Sequence, residues 1–201
     1  LQQTINHKNG VPDTSTWYET VAYPGGFRID FGNPSNGNCN IYKNDSVYAF
    51  RQKKRVGKKQ QIHEFLLVEG DMFLLETDEV MNKFNLAGID TAAFCIARQG
   101  KELFAVIGAN DDSMNKQQVW VSMDHGQMVK SVGKLKKDTY YQAHITSFQK
   151  IEGHLIPEYI EFINDGEVMQ TERYYDVNVR PKIPDGFFDT ENWTDKHWFK
   201  H

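Results

Sequence analysis

Apolar and polar residues alternate with a period of two over most of this chain. In FRIDF, Phe27, Ile29 and Phe31 stand on one side and Arg28 and Asp30 on the other, because side chains two apart share one face of a strand. The same pattern predicts strands over Leu1 to His7, Thr16 to Tyr23, Phe27 to Phe31, Cys39 to Tyr42, Ser46 to Phe50, Thr91 to Arg98 and Glu102 to Gly108. It continues over Gln117 to Met123, Gln127 to Gly133, Thr139 to Phe148, Leu155 to Asn164 and Glu167 to Val179. Turn-forming residues separate these runs: a loop over Lys8 to Ser15, Pro24-Gly25-Gly26, Lys43-Asn44-Asp45, Gln99-Gly100-Lys101, Asp124-His125-Gly126, Glu152-Gly153-His154 and Asp165-Gly166. Regular strands joined by tight turns predict an antiparallel meander of roughly eleven or twelve strands, a barrel or a strongly curled sheet.

One stretch departs from the period of two. From Lys59 to Leu86, Ile62, Phe65 and Leu66 fall at helical spacing, and Met72 and Phe73 continue the apolar side. Gly70 divides the run. The pattern predicts a helix over Gln60 to Glu69, a turn from Asp71, and a second helix over Asp78 to Leu86 capped by Thr77, with Gly88 past its end. Neither helix is long enough to stand alone in water. Their apolar sides need a partner, and the face of the sheet is the large apolar surface available. Phe65, Leu66, Met72 and Phe73 are therefore expected to point into the curl, joined by Phe84 from the second helix.

The chain has 201 residues, 39% of them hydrophobic and 13% aromatic, enough for one domain with a real core. A sheet of this size curls around more space than two short helices fill. Phe27, Phe31, Phe50 and Trp120 from predicted strands would line that hollow together with the helical residues, and an apolar hollow is a default ligand site. Each methylene buried there contributes about 0.8 kcal/mol, so an acyl chain needs no polar chemistry to be held. The alternative is a hollow closed by its own side chains.

The net charge of −4 argues against a general nucleic-acid binder. The basic residues are not spread evenly, however. Arg51 to Lys59 holds six of them in nine positions and no acid. It reads either as a solvated loop kept open by self-repulsion or as a contact of Lys53, Lys54, Arg55, Lys58 and Lys59 with an anionic surface such as lipid headgroups. The aromatic end, Pro181 to His201, cannot be a regular strand and is expected to pack across one end of the barrel, with a membrane-interface or partner contact as the alternative. Cys39 and Cys95 lie in strand-like runs; buried free thiols are the plain reading, a disulfide the alternative.

No catalytic constellation emerges. His63-Glu64 opens like a zinc-protease helix, but Leu67 stands where the second His belongs. No Gly-rich phosphate loop or Gly-x-Ser-x-Gly elbow is present. Cys95 lies in apolar FCIA, which raises a thiol pKa rather than activating it. His144 and His154 could face each other across one hairpin, as a surface pair before a metal site. A non-enzymatic protein without metal or cofactor is the expectation.

The order of parts resembles the periplasmic lipoprotein-carrier superfamily, the LolA/LolB-like proteins. The segments that carry the resemblance are VAYPGGFRIDF (Val21 to Phe31), IYKNDSVYAF (Ile41 to Phe50), the helical insert, QVWVSMDHGQMVK (Gln118 to Lys130) and the long hairpin His154 to Val179. The resemblance implies a mainly β fold: an unclosed antiparallel β-barrel of about 11 strands over residues 1–201, with lid helices near 60–86 and an irregular tail from 181. It further implies a periplasmic protein, its leader removed, either free or lipid-anchored, that binds a lipid or the acyl chain of a lipoprotein. Two features differ from the family pattern. The well-known carrier ties its lid with an Arg just before the Pro, where this chain has Tyr23, and the family opens on an amphipathic helix where this chain opens on a strand.

Overall fold

The computed structural model describes residues 2–8, 11–111, 113–136, 139–179 and 182–192. Thirteen strands form one antiparallel sheet: β1 (Gln2–Lys8), β2 (Val11–Ala22), β3 (Gly26–Phe31), β4 (Cys39–Lys43), β5 (Ser46–Arg51), β6 (Lys54–Gln60), β7 (Phe94–Gln99), β8 (Glu102–Ile107), β9 (Gln118–Ser122), β10 (Met128–Lys136), β11 (Thr139–Ile151), β12 (His154–Asn164) and β13 (Glu167–Tyr174). Their order is β6-β5-β4-β3-β2-β1-β13-β12-β11-β10-β9-β8-β7. Each strand pairs with its chain neighbour, and β1 pairs with β13 at the centre. The one chain-adjacent pair that does not close is β6 with β7, and the helices lie between them in sequence. The barrel is thus unclosed at the place where the insert enters.

The turns follow the sequence. Asn44 and Asp45 both take positive φ, as do Asp165 and Gly166, which is what a two-residue turn matched to strand twist requires. Register shifts interrupt β10 between Met128 and Lys130 and between Lys134 and Lys136, β11 between Ile145 and Phe148, and β12 between Phe162 and Ile163. Such bulges bend and twist a strand; a further shift lies on the opposite flank, in β5 between Ala49 and Phe50.

The helical insert differs from the pattern's prediction. Gln60 still belongs to β6. The first helix is continuous through Gly70: α1 (Glu64–Leu66), a π-helical turn (Leu67–Asp71) and α2 (Met72–Leu74) succeed one another without a break. α3 (Thr77–Leu86) begins on Thr77, with Glu76 in the cap position. Gly70 does not end the helix. A Cβ there would stand 1.8 Å from Cδ1 of Tyr23, so the glycine admits the Tyr23 ring against the helix.

Several other boundaries shift. β2 starts at Val11, inside the expected loop, β7 starts at Phe94, and β13 ends at Tyr174. The basic run is no open loop: Lys54–Gln60 is an ordered edge strand, exposed along its whole length. Lysines on an edge oppose sheet-to-sheet association. His144 pairs with Glu161 and His154 with Ile151, so the two histidines do not face each other. Cys39 and Cys95 are not joined by a disulfide.

Both faces of β3 are covered. Arg28 is fully buried and Asp30 is 1% exposed. Arg28 Nε and Nη2 each lie 2.8 Å from an Asp30 oxygen, Nη1 donates to the Phe187 carbonyl at 3.3 Å, and the guanidinium lies 4.5 Å over the Phe187 ring. Phe188 packs on Cys39, Ile41 and Phe50. The tail therefore lies across the outer face of β3–β5, not across an end of the barrel. Trp193, Trp198 and Phe199 lie outside the described residues.

Candidate functional site

Cross-strand partners point to the same side of a sheet. Phe27 and Ile29 on β3 pack against Leu66 of the insert, which marks the inward face. Pairing carries that face to Val21, Glu19 and Trp17 on β2, to Gln2 and Thr4 on β1, to Tyr174 and Glu172 on β13, and to Ile160 on β12 and Ile145 on β11. The inward face is apolar on both flanks and polar in the middle.

The helices sit on the two flanks. Leu66 joins the β3–β4 side. Ile62, Leu67, Val68 and Phe84 join Val119, Val121, Met128, Ala143, Ile145 and Ile160 on the other. Because the first helix runs between two walls, three consecutive residues, Leu66, Leu67 and Val68, are all buried. A helix lying on one surface would bury only one stripe.

Polar ties hold this cover. Asp71, 2% exposed, accepts the Gly25 N–H at 2.9 Å and lies 3.6 Å from Lys83 Nζ, which reaches Asp45 at 2.5 Å. Glu69 accepts the Met128 N–H at 2.6 Å, and burial pushes its carboxyl up to about 7. Tyr23 lies against Gly70. The insert is thereby joined to the β2–β3 turn, the β4–β5 turn and the start of β10.

The polar middle has its own electrostatics. Glu172 accepts from Gln170 Nε2 at 2.6 Å and from the Tyr174 hydroxyl at 3.2 Å. Burial raises the Glu19 and Glu172 carboxyls above the ordinary carboxylate range, and the charge of Glu172 raises Glu19 further. Tyr174 is pushed well up by burial and by both carboxylates. At the mouth of α1, burial raises Glu64. Tyr141 on β11 is raised by the charge of Glu64 and by burial. Tyr42 on β4 goes up to about 12, through burial, then Glu64 and Glu19. Tyr141 is also raised by Tyr42, so the curl brings β4 and β11 within electrostatic reach. His63 stands edge-on to Phe27 and Tyr42, at 4.8 and 5.0 Å, and burial lowers its pKa to about 4.

Of the residues expected in the hollow, Leu66 and Phe84 are buried beneath the cover, Phe65 and Met72 pack half-buried against the same cluster, and Phe27 and Phe31 lie on the inward face. Three are elsewhere. Phe73 is 62% exposed: the π turn inserts one residue and rotates the next turn of helix by about 100°. Phe50 belongs to the outer cluster under Phe188. Trp120 lies between the inward Val119 and Val121, so it faces outward, packed on Phe104 and Val106 and donating to Gln118 Oε1 at 2.8 Å. Lys53, Lys54, Arg55, Lys58 and Lys59 are all exposed along β6 and the turn before it, with Arg55 paired to Glu191 at 2.8 Å. Glu19, Glu172 and Tyr174 escape a search for apolar residues, although alternation within their strands marks their side. Among the described residues no group of three or more His, Cys, Asp or Glu is arranged to hold a metal ion.

No family model and no curated protein matches the chain. Solved structures do. A DUF1329 family protein from Desulfovibrio piger superposes with a TM-score of 0.59 at 13% identity, over 94% of this chain and 88% of that one. A LolA superfamily protein from Nitrosomonas europaea gives 0.55 at 15%, over 93% and 86%. A domain of an outer membrane lipoprotein-sorting protein from Vibrio parahaemolyticus gives 0.56 at 12%, over 96% and 89%. The chain has the fold of these LolA-like proteins.

Proposed function

We propose that the protein is a non-enzymatic binding protein for a lipid or acylated ligand, held between the inward face of the sheet and the helical cover. The observation that carries this reading is the state of the inward aromatics. Trp17, Phe31, Phe65, Tyr141, Phe148 and Phe162 point toward the cover or pack with it, yet each keeps accessible surface. Side chains that face inward and are not closed over by neighbours leave room for a chain of methylenes. The LolA-like fold supports the same reading, with the periplasm as the compartment. The ligand contacts assigned are Phe65, Leu66, Met72, Phe84, Phe27 and Phe31. The basic edge of β6 would meet an anionic membrane surface during transfer.

A second reading is an interaction module of the same fold with a filled interior. The complete burial of Leu67 and Val68 favours it. Uptake of a hydrophobic fluorescent probe by the native protein, with mass spectrometry of co-purified lipid, separates the two. Binding of one acyl chain per protein is the expected result. No fatty-acyl ligand bound at any concentration would leave the filled module standing.

A further inference from the structure

The acidic middle of the inward face is unexpected in a site for hydrocarbon. Gln2 and Thr4 are fully buried there, and Gln2 Oε1 and Thr4 Oγ1 have no hydrogen-bond partner among the described residues. Pairing places Gln2 beside Tyr174 and Thr4 beside Glu172. The Gln2 amide approaches the Glu172 carboxyl without closing a full hydrogen bond. No salt bridge among the described residues includes Glu19, Glu64 or Glu172. Buried acceptors normally find donors, and buried carboxyls normally find cations. Among the described residues this cluster has acceptors to spare and no basic side chain against it.

We propose that Glu19, Glu172, Gln2 and Thr4 form a headgroup subsite for a primary ammonium carried by an amphiphile whose hydrocarbon lies on the apolar flanks. This rests on the binding reading above and specifies its ligand. An alkylammonium has three N–H donors, and one carboxylate oxygen with Gln2 Oε1 and Thr4 Oγ1 offers three acceptors. Tyr174 stays between the two carboxyls and donates its single O–H to Glu172. Entry of the ammonium releases one carboxyl proton to water, so the site exchanges a proton for a cation and its charge is unchanged. Binding then strengthens as pH rises. Tyr174 bears on both carboxyls, the terminal ammonium of the chain bears on Glu19, and Tyr42 on β4 feels Glu19; Glu64, His63 and Tyr141 stand farther off, at the mouth of the first helix. The phenols stay neutral through the neutral range, and buried His63 stays uncharged above its pKa of about 4.

The experiment uses three probes of one chain length, decylamine, decanol and decanoate, competing with a bound hydrophobic fluorophore at pH 6 and pH 8. Decanol reads the apolar hollow alone. The expectation is that decylamine binds roughly tenfold more tightly than decanol at pH 8, the factor one charge-assisted hydrogen bond supplies. The preference should shrink at pH 6 and vanish in Glu19→Gln while decanol affinity is retained. Decanol binding as tightly as decylamine, or decanoate binding more tightly than both, overturns the subsite and leaves the hollow in place. Failure of all three probes overturns both. The wild-type comparison stands even if the variant does not fold.

Discussion

Gly70 shows how a single side chain, here the lack of one, sets the seat of the cover. As a sequence symbol it reads as a helix breaker. In the fold it lies inside a continuous helix because the Tyr23 ring occupies the space its Cβ would need. Alanine there gains helix propensity, about 1 kcal/mol, but must displace an aromatic ring. Gly70→Ala is expected to cost about 1–3 kcal/mol net, as overpacking does, read as a lower denaturation midpoint with an unchanged m-value. Adding Tyr23→Ala should recover most of that loss, because the clashing ring is gone. Arg28 makes the converse point. Alternation puts it opposite Phe27 and Ile29, where solvent is the ordinary expectation, and the tail covers it through Phe187.

β6 is an element whose order comes from its neighbour. Its own sequence, crowded with like charges, favours an open chain. Pairing with β5 from Ser46–Gln60 to Arg51–Lys54 supplies the backbone hydrogen bonds that hold it extended, while every side chain stays in water. Exposed charges of this kind contribute little to stability. Replacing Lys53, Lys54 and Arg55 by Gln should leave stability within about 0.5 kcal/mol of wild type and weaken adsorption to anionic vesicles at low salt. The difference should disappear near 1 M salt, where the screening length falls to about 3 Å. Unchanged adsorption at low salt would remove the membrane-contact role of this edge.

For the molecule as a whole, the buried carboxyls make stability depend on pH in an unusual direction. Glu19, Glu64, Glu69 and Glu172 all titrate higher in the fold than the ordinary 4.5. A group raised in the fold stabilises most below its unfolded pKa, and that contribution is lost as pH rises through its folded pKa. His63 acts oppositely: lowered from 6.5 to about 4, it costs stability only as pH falls below 6.5. His144 is lowered as well, but both histidines lose their effect just above pH 6.5, so the carboxyls dominate up to about pH 8 and stability should decline by about 1–3 kcal/mol over that interval. Glu69→Gln should flatten the decline. Stability that rises over the same interval would mean the carboxyls are ionised and solvated in the native state.

Sequence alone is enough for the meander, the turns at Asn44-Asp45 and Asp165-Gly166, and an insert that must lie on the sheet, because period, turn chemistry and helix length are local properties. Both faces of β3–β5 and of β8–β10 are covered, so alternation there separates two sides without saying which is inward; that is why the pattern assigns Phe50 and Trp120 to the hollow although they lie outside it. Leu67 and Val68 break the helical stripe because the first helix has walls on two sides, a fact of the curl. The polar cluster of Glu19, Glu172 and Tyr174 joins β2 to β13 through β1, strands that meet only after the sheet has assembled. Local pattern determines which residues share a face. Long-range closure determines what that face encloses, since it depends on contacts between segments far apart in the chain.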